Sequence, residues 1–228
     1  MGATQIARET GLNVSSAFNI LRTLSQEGLL SFDTQSKTYS IGIGLLELSA
    51  PLLCANPADA IRPVIDEIAH KHDVAIALYS ITSKGRIVLT DSVSPGHIIR
   101  AVIPMGSRFP IFAGGIGRCY IARLDLDKDT ARAGYETVRW QNPPGFESYW
   151  SDAAAAKDTR YARDRGQLTR GIEIVSSLVL DTEQTPRIGM SSLTLAGQND
   201  EESLEQVGQE LAVASGRIDR ALFAKAPL

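Results

Sequence analysis

Three histidines and two cysteines are the side chains that could ligate a metal or act as nucleophiles in this chain of 228 residues. His70 and His72 are two positions apart in a segment of helical pattern, so they point to different faces and cannot readily bind one ion. We interpret both as exposed residues at the end of a helix. His97 stands alone at the start of a predicted strand. We therefore expect no metal site and no cofactor.

Cys119 is the one candidate nucleophile, because it lies about one turn into a helix that follows a glycine-rich segment. No histidine stands near it in the sequence to act as a base, and a small buried core residue fits the position better. The sequence also lacks a GxSxG, P-loop or HExxH motif. We therefore expect no catalysis.

The glycine segment Gly114–Gly117 points more directly to ligand binding. Glycines at the start of a helix allow close backbone approach and leave N–H groups directed outward, an arrangement that binds carboxylates. The segment is not a dinucleotide-binding fingerprint, because the βαβ context is missing. A tight strand-to-helix turn without a ligand is the alternative interpretation.

Composition predicts an ordinary globular protein of the cytoplasm. Hydrophobic residues make up 43% and charged residues 21% of the chain, and the formal net charge is −3. These values exclude a disordered chain and a protein that binds polyanions through a high overall positive charge. No apolar run approaches the ~18 residues of a membrane span, and the N-terminus lacks the pattern of a secretory signal. Cys54 and Cys119 are too few for a disulfide framework.

Residues 4–42 have the pattern of a helix-turn-helix followed by a hairpin. A first helix runs from Thr4, as its cap, to Gly11, and a second from about Val14 to Glu27. The apolar side of the second helix contains Val14, Ala17, Leu21 and Leu24. Its polar side contains Ser15, Ser16, Asn19, Arg22, Thr23 and Gln26. Residues 29–41 are typical of two strands around a polar turn, so the layout is that of a winged helix-turn-helix.

The remainder of the chain predicts an α+β domain of mostly antiparallel strands with helices outside. The predicted strands cover 74–81, 86–93, 97–104, 172–180 and 188–195. The predicted helices cover 43–54, 58–72, the segment from the glycines to Leu124, 151–165 and 200–223, with an ordered loop at 140–150. The predicted domains are therefore a winged helix-turn-helix (1–42), a linker helix (43–56) and a large second domain (57–228).

Two motifs resemble the isocitrate lyase regulator (IclR) family of bacterial transcription factors. The first includes Ile6-Ala7, Thr10-Gly11-Leu12, Ser15-Ser16, Leu21-Arg22-Thr23-Leu24, Glu27-Gly28-Leu29 and Tyr39-Ser40-Ile41-Gly42. The second is residues 106–118, which are similar to the family's Gly-x-x-x-Pro…Gly-Lys effector segment. The resemblance covers nearly the whole chain. It implies a winged helix-turn-helix, N-terminally incomplete because the family's first helix is missing, joined by a linker helix to a GAF-like effector-binding domain, in homodimers or homotetramers.

By this resemblance, the polar side of the second helix would enter the major groove of operator DNA. The predicted DNA-binding residues are Ser15, Ser16, Asn19, Arg22, Thr23 and, at the wing tip, Lys37. A merely solvated helix face is the alternative interpretation. Residues 1–42 carry no net charge, and phosphate neutralisation supplies much of the affinity for DNA. With the first helix missing as well, we expect the chain as given to bind DNA weakly or not at all.

The resemblance also implies a pocket for a small organic acid. One wall is predicted to contain Met105, Phe109, Phe112, Gly114, Gly115 and Ile116. The opposite wall is predicted to contain Ile174, Ser176, Met190, Ser191 and Thr194. The carboxylate would bind the N–H groups of Gly115 and Ile116. The apolar side chains favour a hydrophobic ligand body, such as that of an aromatic acid.

We therefore predict a ligand-responsive transcriptional regulator of catabolic genes. Its expected partners are operator DNA, a small carboxylic acid and further copies of itself, with no membrane involved. The alternative is a stand-alone sensor that binds a small molecule and has lost DNA binding. An enzyme using the same pocket is a third hypothesis, which the missing nucleophile–base pair disfavours.

Overall fold

The computed structural model describes residues 1–42, 44–45, 57–96 and 101–223. The chain divides into two compact units, Met1–Ala60 and Ile61–Leu228. Each unit is described by itself. The predicted linker helix falls mainly on residues 46–56, which lie outside the described residues.

The first unit contains two helices and a hairpin. These are α1 (Ala3–Thr10), α2 (Val14–Gln26), β1 (Leu30–Asp33) and β2 (Thr38–Ile41). Gly11 ends α1 with a φ of 70°, a left-handed conformation that glycine adopts without strain. Asn13 caps α2 by accepting a hydrogen bond from the Ser16 backbone N–H at 2.8 Å. The predicted cap Thr4 is wrong, because α1 starts one residue earlier and Gly2 occupies the cap position.

The second unit is built on one six-stranded antiparallel sheet with the order β5-β4-β3-β8-β7-β6. Its strands are β3 (Ala75–Thr82), β4 (Arg86–Val93), β5 (Arg108–Pro110), β6 (Tyr161–Arg165), β7 (Ile172–Leu180) and β8 (Pro186–Leu195). Its helices are α3 (Pro57–His72), which begins just before the unit boundary, α4 (Gly114–Leu124), α5 (Lys128–Glu136), α6 (Phe146–Thr159) and α7 (Glu201–Phe223).

Different helices cover the two faces of this sheet. Helix α4 lies over the face that carries Ser176, since a Cβ built on Gly115 would come within 2.7 Å of the Ser176 hydroxyl oxygen. Helix α7 packs on the opposite face, where the hydroxyls of Ser177 and Ser215 are 3.1 Å apart. Adjacent residues of a strand therefore face different helices.

Several sequence predictions of secondary structure differ from the observed elements. The predicted loop over 140–150 is wrong in its second half, because residues 146–150 belong to α6. Residues 101–104 are not in a strand, and the edge strand is instead β5. The predicted helix over 151–165 is wrong at both ends, because α6 starts at Phe146 and ends at Thr159, and β6 follows. Helix α5 was not predicted. The end of α6 was hard to predict from the sequence. Arg160 ends the helix with a left-handed φ of 65°, a conformation in which glycine is the usual residue.

Candidate functional site

A cavity of about 310 Å³ lies between α4 and the sheet face beneath it. That volume is at the lower end of the ~300–1,000 Å³ found for small-molecule sites. The described lining residues are Tyr79, Ile87, Ala101, Val102, Ile103, Phe109, Ala113, Gly114, Gly115, Ile116, Leu168, Thr169, Ile172, Ile174, Ser176, Ser191 and Leu193. None of these described residues carries a formal charge, and the groups among them that could interact with a charged ligand are backbone N–H groups and hydroxyls.

The start of α4 presents backbone donors to this cavity. Gly114 has a φ of 58°, which places it in the left-handed region, and the first bond of the helix runs from the Gly117 N–H to the Ala113 carbonyl at 3.1 Å. The N–H groups of Gly114, Gly115 and Ile116 have no acceptor among the described residues. Free N–H groups at a helix start, with the positive end of the helix dipole, favour an anion.

Two serine hydroxyls lie on the sheet side of the cavity. Ser176 on β7 and Ser191 on β8 are directly opposite each other, and their hydroxyl oxygens are 2.8 Å apart. Both residues are buried. The pair satisfies one hydrogen bond internally and retains a hydroxyl hydrogen for a ligand.

Cys119 is a buried core residue, as the sequence predicted. It is 2% exposed, and its thiol donates to the Ser176 carbonyl at 3.2 Å. Burial raises the pKa of the Cys119 thiol to about 12, although Arg123 and Arg118 act in the opposite direction. The thiol is therefore protonated at neutral pH and is a poor nucleophile.

A buried arginine on α4 holds the loop that forms one rim of the cavity. Arg118 is fully buried, and its guanidinium donates to the Gly114 carbonyl at 2.9 Å and to the Asp152 carboxylate at 3.1 Å. It also contacts the buried Asp164 carboxylate at 3.5 Å. Asp164 in turn accepts hydrogen bonds from the backbone N–H of Leu168, at 3.1 Å for the nearer carboxylate oxygen. The arginine thus links the start of α4 to the loop that carries Leu168.

The structure brings seven of the predicted effector residues into the cavity lining. These are Phe109, Gly114, Gly115, Ile116, Ile174, Ser176 and Ser191. Four others are not among its lining residues. Met105 is 59% exposed. Phe112 packs against Tyr120 and against an aromatic cluster on α5 and α6 that includes Tyr135 and Tyr149. Met190 and Thr194 alternate with Ser191 along β8 and therefore lie on the opposite face of the sheet.

Sequence reasoning missed several lining residues, of which Tyr79 is the most polar. It lies on β3 opposite Gly189, on the same sheet face as Ser191 two positions along β8. The strand around it was predicted, so alternation from a known cavity residue could have found it. Leu168 and Thr169 lie in the loop between β6 and β7, where the sequence predicts neither a helix nor a strand. No local pattern therefore indicated these two residues.

The predicted DNA-binding residues form a polar surface on α2 and the hairpin. Ser15, Asn19, Arg22 and Thr23 are exposed, whereas Ser16 is half-buried. Arg22 forms no ion pair with any residue that the structure describes. Thr23 donates to the Asn19 carbonyl at 3.1 Å, so its hydroxyl is partly engaged within α2. Lys37 is exposed at the hairpin turn, with a φ of 53°.

The apolar side of α2 is only partly covered. Ala17 and Leu21 are buried, but Val14 is 53% exposed. Phe18 and Ile20 are also exposed, by 48% each. The apolar side that the sequence predicts is therefore buried only in part.

The histidines behave differently from each other. His70 is exposed, as predicted, whereas the prediction for His72 is wrong. The His72 side chain is only 6% exposed, and its Nε2 lies 3.1 Å from the Glu210 carboxylate on α7. No three potential metal ligands lie together in the part of the chain that the structure describes. Among those same residues, no helix combines the length and hydropathy of a membrane span.

Comparison with known proteins gives the family. Residues 55–220 match the family model described as "Bacterial transcriptional regulator IclR C-terminal", and residues 1–34 match the "IclR helix-turn-helix domain". The chain belongs to the IclR family. Its fold is accordingly a winged helix-turn-helix with a GAF-like effector domain, and its relatives are transcriptional regulators, not enzymes.

Individual IclR relatives are distant in sequence. The "Transcriptional repressor IclR" of Escherichia coli is 20% identical over 193 residues, covering 82% of this chain and 70% of the relative. The "Glycerol operon regulatory protein" of Streptomyces coelicolor is 26% identical over 200 residues, covering 85% and 76%. The crystal structure of an IclR transcriptional regulator from Alicyclobacillus acidocaldarius matches with a TM-score of 0.63 at 24% identity, covering 96% and 89%.

Proposed function

We propose that this IclR-family chain represses or activates a catabolic operon in response to a small carboxylic acid bound under α4. Operator DNA would bind the exposed face of α2 and the hairpin, and the protein would act in the cytoplasm as a homodimer or homotetramer. We keep 1–42, 43–56 and 57–228 as the proposed DNA-binding, linker and effector-binding regions. The Streptomyces relative is named for an operon it regulates, which supports the assignment to operon control.

The cavity under α4 is the observation that carries the effector proposal. Its described lining residues are mostly apolar. The polar groups among them include the backbone donors at the start of α4, which have no acceptor among the described residues, and a few hydroxyls. A carboxylate on the N–H groups of Gly115 and Ile116 gains the helix-dipole interaction, about 0.3–1 kcal/mol and more when partly buried. An apolar body would fill the space between Ile87, Phe109 and Leu193.

The effector proposal is tested by titration with paired ligands. Aromatic and aliphatic acids and their neutral amides are titrated against the full chain by calorimetry and thermal shift. The acids should bind, and the amides should bind about two- to thirtyfold more weakly, because an amide lacks the charge that the helix start favours by about 0.3–2 kcal/mol. Equal binding of acids and amides would reject the proposal that a carboxylate binds at the start of α4.

A proline at Gly115 is not a clean test of this site, although it deletes one donor. Any Cβ at that position would lie 2.7 Å from the Ser176 hydroxyl oxygen and 2.8 Å from the Ala162 carbonyl oxygen. Loss of affinity would therefore report a collision as well as a lost donor. The acid-and-amide comparison avoids this difficulty.

Because residues 1–42 carry no net charge and weak binding is expected, the DNA proposal is tested by selecting bound fragments from a genomic DNA pool at low salt. Their affinity is then measured at several salt concentrations. Two half-sites about one or two helical turns apart are expected for paired recognition helices. Arg22→Ala should weaken binding and lower the salt slope by about one. Arg217→Ala, which removes the same charge from an exposed position on α7, is the matched control. If DNA binding is unchanged by Arg22→Ala and by alanine at Ser15 and Asn19, the exposed face of α2 is not the DNA-binding surface.

A further inference from the structure

The hydroxyl of Tyr79, a residue of the cavity wall, is left without a hydrogen bond by the described residues. Tyr79 is 4% exposed and lines the cavity. None of the described residues donates to its hydroxyl or accepts from it. A hydroxyl of a cavity-lining residue that has no partner among the described residues can form its hydrogen bond with a ligand.

The Tyr79 ring is fixed by its neighbours. Its partner across the sheet is Gly189, and the Cβ that glycine lacks would lie 2.7 Å from Ile116 Cδ1 and 3.7 Å from Tyr79 Cβ. On another side, the ring meets Phe109 edge-on, with centroids 6.3 Å apart. A side chain held between neighbours in this way loses little freedom when its hydroxyl binds a ligand.

The hydroxyl acts as a donor under physiological conditions. Burial raises the pKa of Tyr79 well above its usual value, so the phenol keeps its proton. The hydroxyls of Ser176 and Ser191 differ, because they already bond each other. As a donor, the Tyr79 hydroxyl would pair with an acceptor atom of a ligand, such as an oxygen.

We propose that Tyr79 determines effector specificity by donating a hydrogen bond to a second oxygen on the body of the effector, beyond its carboxylate. The preferred ligands are then acids with a carbonyl or ether oxygen on an otherwise apolar body, rather than hydrocarbon acids of the same shape. This inference rests on the proposed function, because the start of α4 is taken as the carboxylate site. It adds a polar contact that neither the glycine segment nor the serine pair provides.

The test compares matched ligands on matched proteins. The probes are methyl-ketone acids with increasing separation between the two oxygens: 4-oxopentanoate, 5-oxohexanoate, 6-oxoheptanoate and 4-acetylbenzoate. Each is paired with the hydrocarbon acid of the same shape: 4-methylpentanoate, 5-methylhexanoate, 6-methylheptanoate and 4-isopropylbenzoate. The proteins are the full chain, Tyr79→Phe, and the control Tyr161→Phe, whose hydroxyl bonds Glu205.

The measured quantity is the oxygen preference, the Kd of the hydrocarbon acid divided by that of its ketone partner. For at least one separation, Tyr79→Phe should lower this preference about three- to tenfold, the size of one net hydrogen bond. Tyr161→Phe should leave it unchanged. Thermal melting of Tyr79→Phe at or above the wild-type temperature shows that the fold is intact, since the substitution removes no hydrogen bond to the described residues.

The outcomes separate this inference from the proposal beneath it. An oxygen preference that is equal in the wild type and Tyr79→Phe at every separation overturns the role of Tyr79 while the acid site stands. Equal binding of the acids and their amides, with a preference that still depends on Tyr79, rejects the carboxylate position but keeps the tyrosine contact. If the wild type binds neither series, the effector proposal fails and the role of Tyr79 fails with it.

Discussion

The stability of the second unit depends on one fully buried arginine, Arg118. Arg118 contacts Asp152 and Asp164, and Asp164 is as buried as the arginine itself. Arg118→Met should destabilise the protein by about 3–5 kcal/mol, because it leaves the Asp164 carboxylate buried without its cation. Urea unfolding of the full chain measures the change.

The control for this prediction is an exposed ion pair. Lys157 and Asp125 are both more than half exposed, so Lys157→Met should change stability little. A similarly small effect of Arg118→Met would show that the buried network does not hold this part of the fold.

The thiol of Cys119 should be unreactive in the folded protein. Its pKa of about 12, against an ordinary value of about 8.5, makes the thiolate fraction at pH 8 smaller by a factor on the order of a thousand. In a Cys54→Ser variant, iodoacetamide should label the urea-unfolded protein rapidly. It should label the folded protein only when the protein unfolds and exposes Cys119. Labelling of the folded form with a midpoint near pH 8 would contradict the burial of this group.

At the scale of single residues, the sequence predicted what depends on local chemistry. The glycine segment was found because glycines at the start of a helix allow close backbone approach and leave backbone N–H groups directed outward. The burial of Cys119 followed from the lack of a nearby base. The burial of His72 could not be predicted, because its partner Glu210 lies on α7, far along the chain. Tyr79 was missed for the same reason, since its neighbours come from other elements.

Among the elements, α4 depends on a close approach that only glycine permits. A Cβ on Gly117 would lie 2.1 Å from the Phe112 carbonyl oxygen and 2.4 Å from the Tyr149 hydroxyl, which itself donates to that carbonyl at 2.8 Å. Gly117→Ala should therefore cost about 1–3 kcal/mol of stability and weaken effector binding, because the helix start must shift.

The matched control is Gly96→Ala. A Cβ at Gly96 meets nothing within 4 Å, so this variant should be near neutral in urea unfolding and in ligand titration. If Gly117→Ala behaved like Gly96→Ala, the close packing of α4 on Phe112 and Tyr149 would be disproved.

The sequence predicted most elements but not which face of the sheet each residue occupies. Met190 and Ser191 were both assigned to the cavity, although neighbours in a strand point to opposite sides. A strand buried on both faces has no polar–apolar alternation to reveal its orientation. The alanine run of α6 likewise predicted a helix but did not indicate that the chain reverses into β6 after Arg160.

For the molecule as a whole, effector and DNA binding should be coupled in both directions. If an acid changes the operator affinity by some factor, the operator must change the affinity for that acid by the same factor. Calorimetry of the acid with and without saturating operator, and gel shifts with and without the acid, give the two factors independently. If both factors equal one, the acid does not regulate operator binding and the proposed coupling is rejected.

The overall plan was predictable because two motifs in a fixed order identified the family. The pairing of strands was not. Antiparallel order within hairpins such as β3–β4 follows from short turns, whereas the β3–β8 pairing joins segments that no local pattern connects.

That pairing also has a consequence for how the protein is made. Strand β3 lies in the middle of the sheet, but its partner β8 is synthesised after β4, β5, β6 and β7 and three helices. Until β8 leaves the ribosome, one long edge of β3, with the buried residues Ile76 and Leu78, has no partner. Exposed edges of this kind recruit other chains. We expect the nascent effector unit to need protection by chaperones until its last strand arrives.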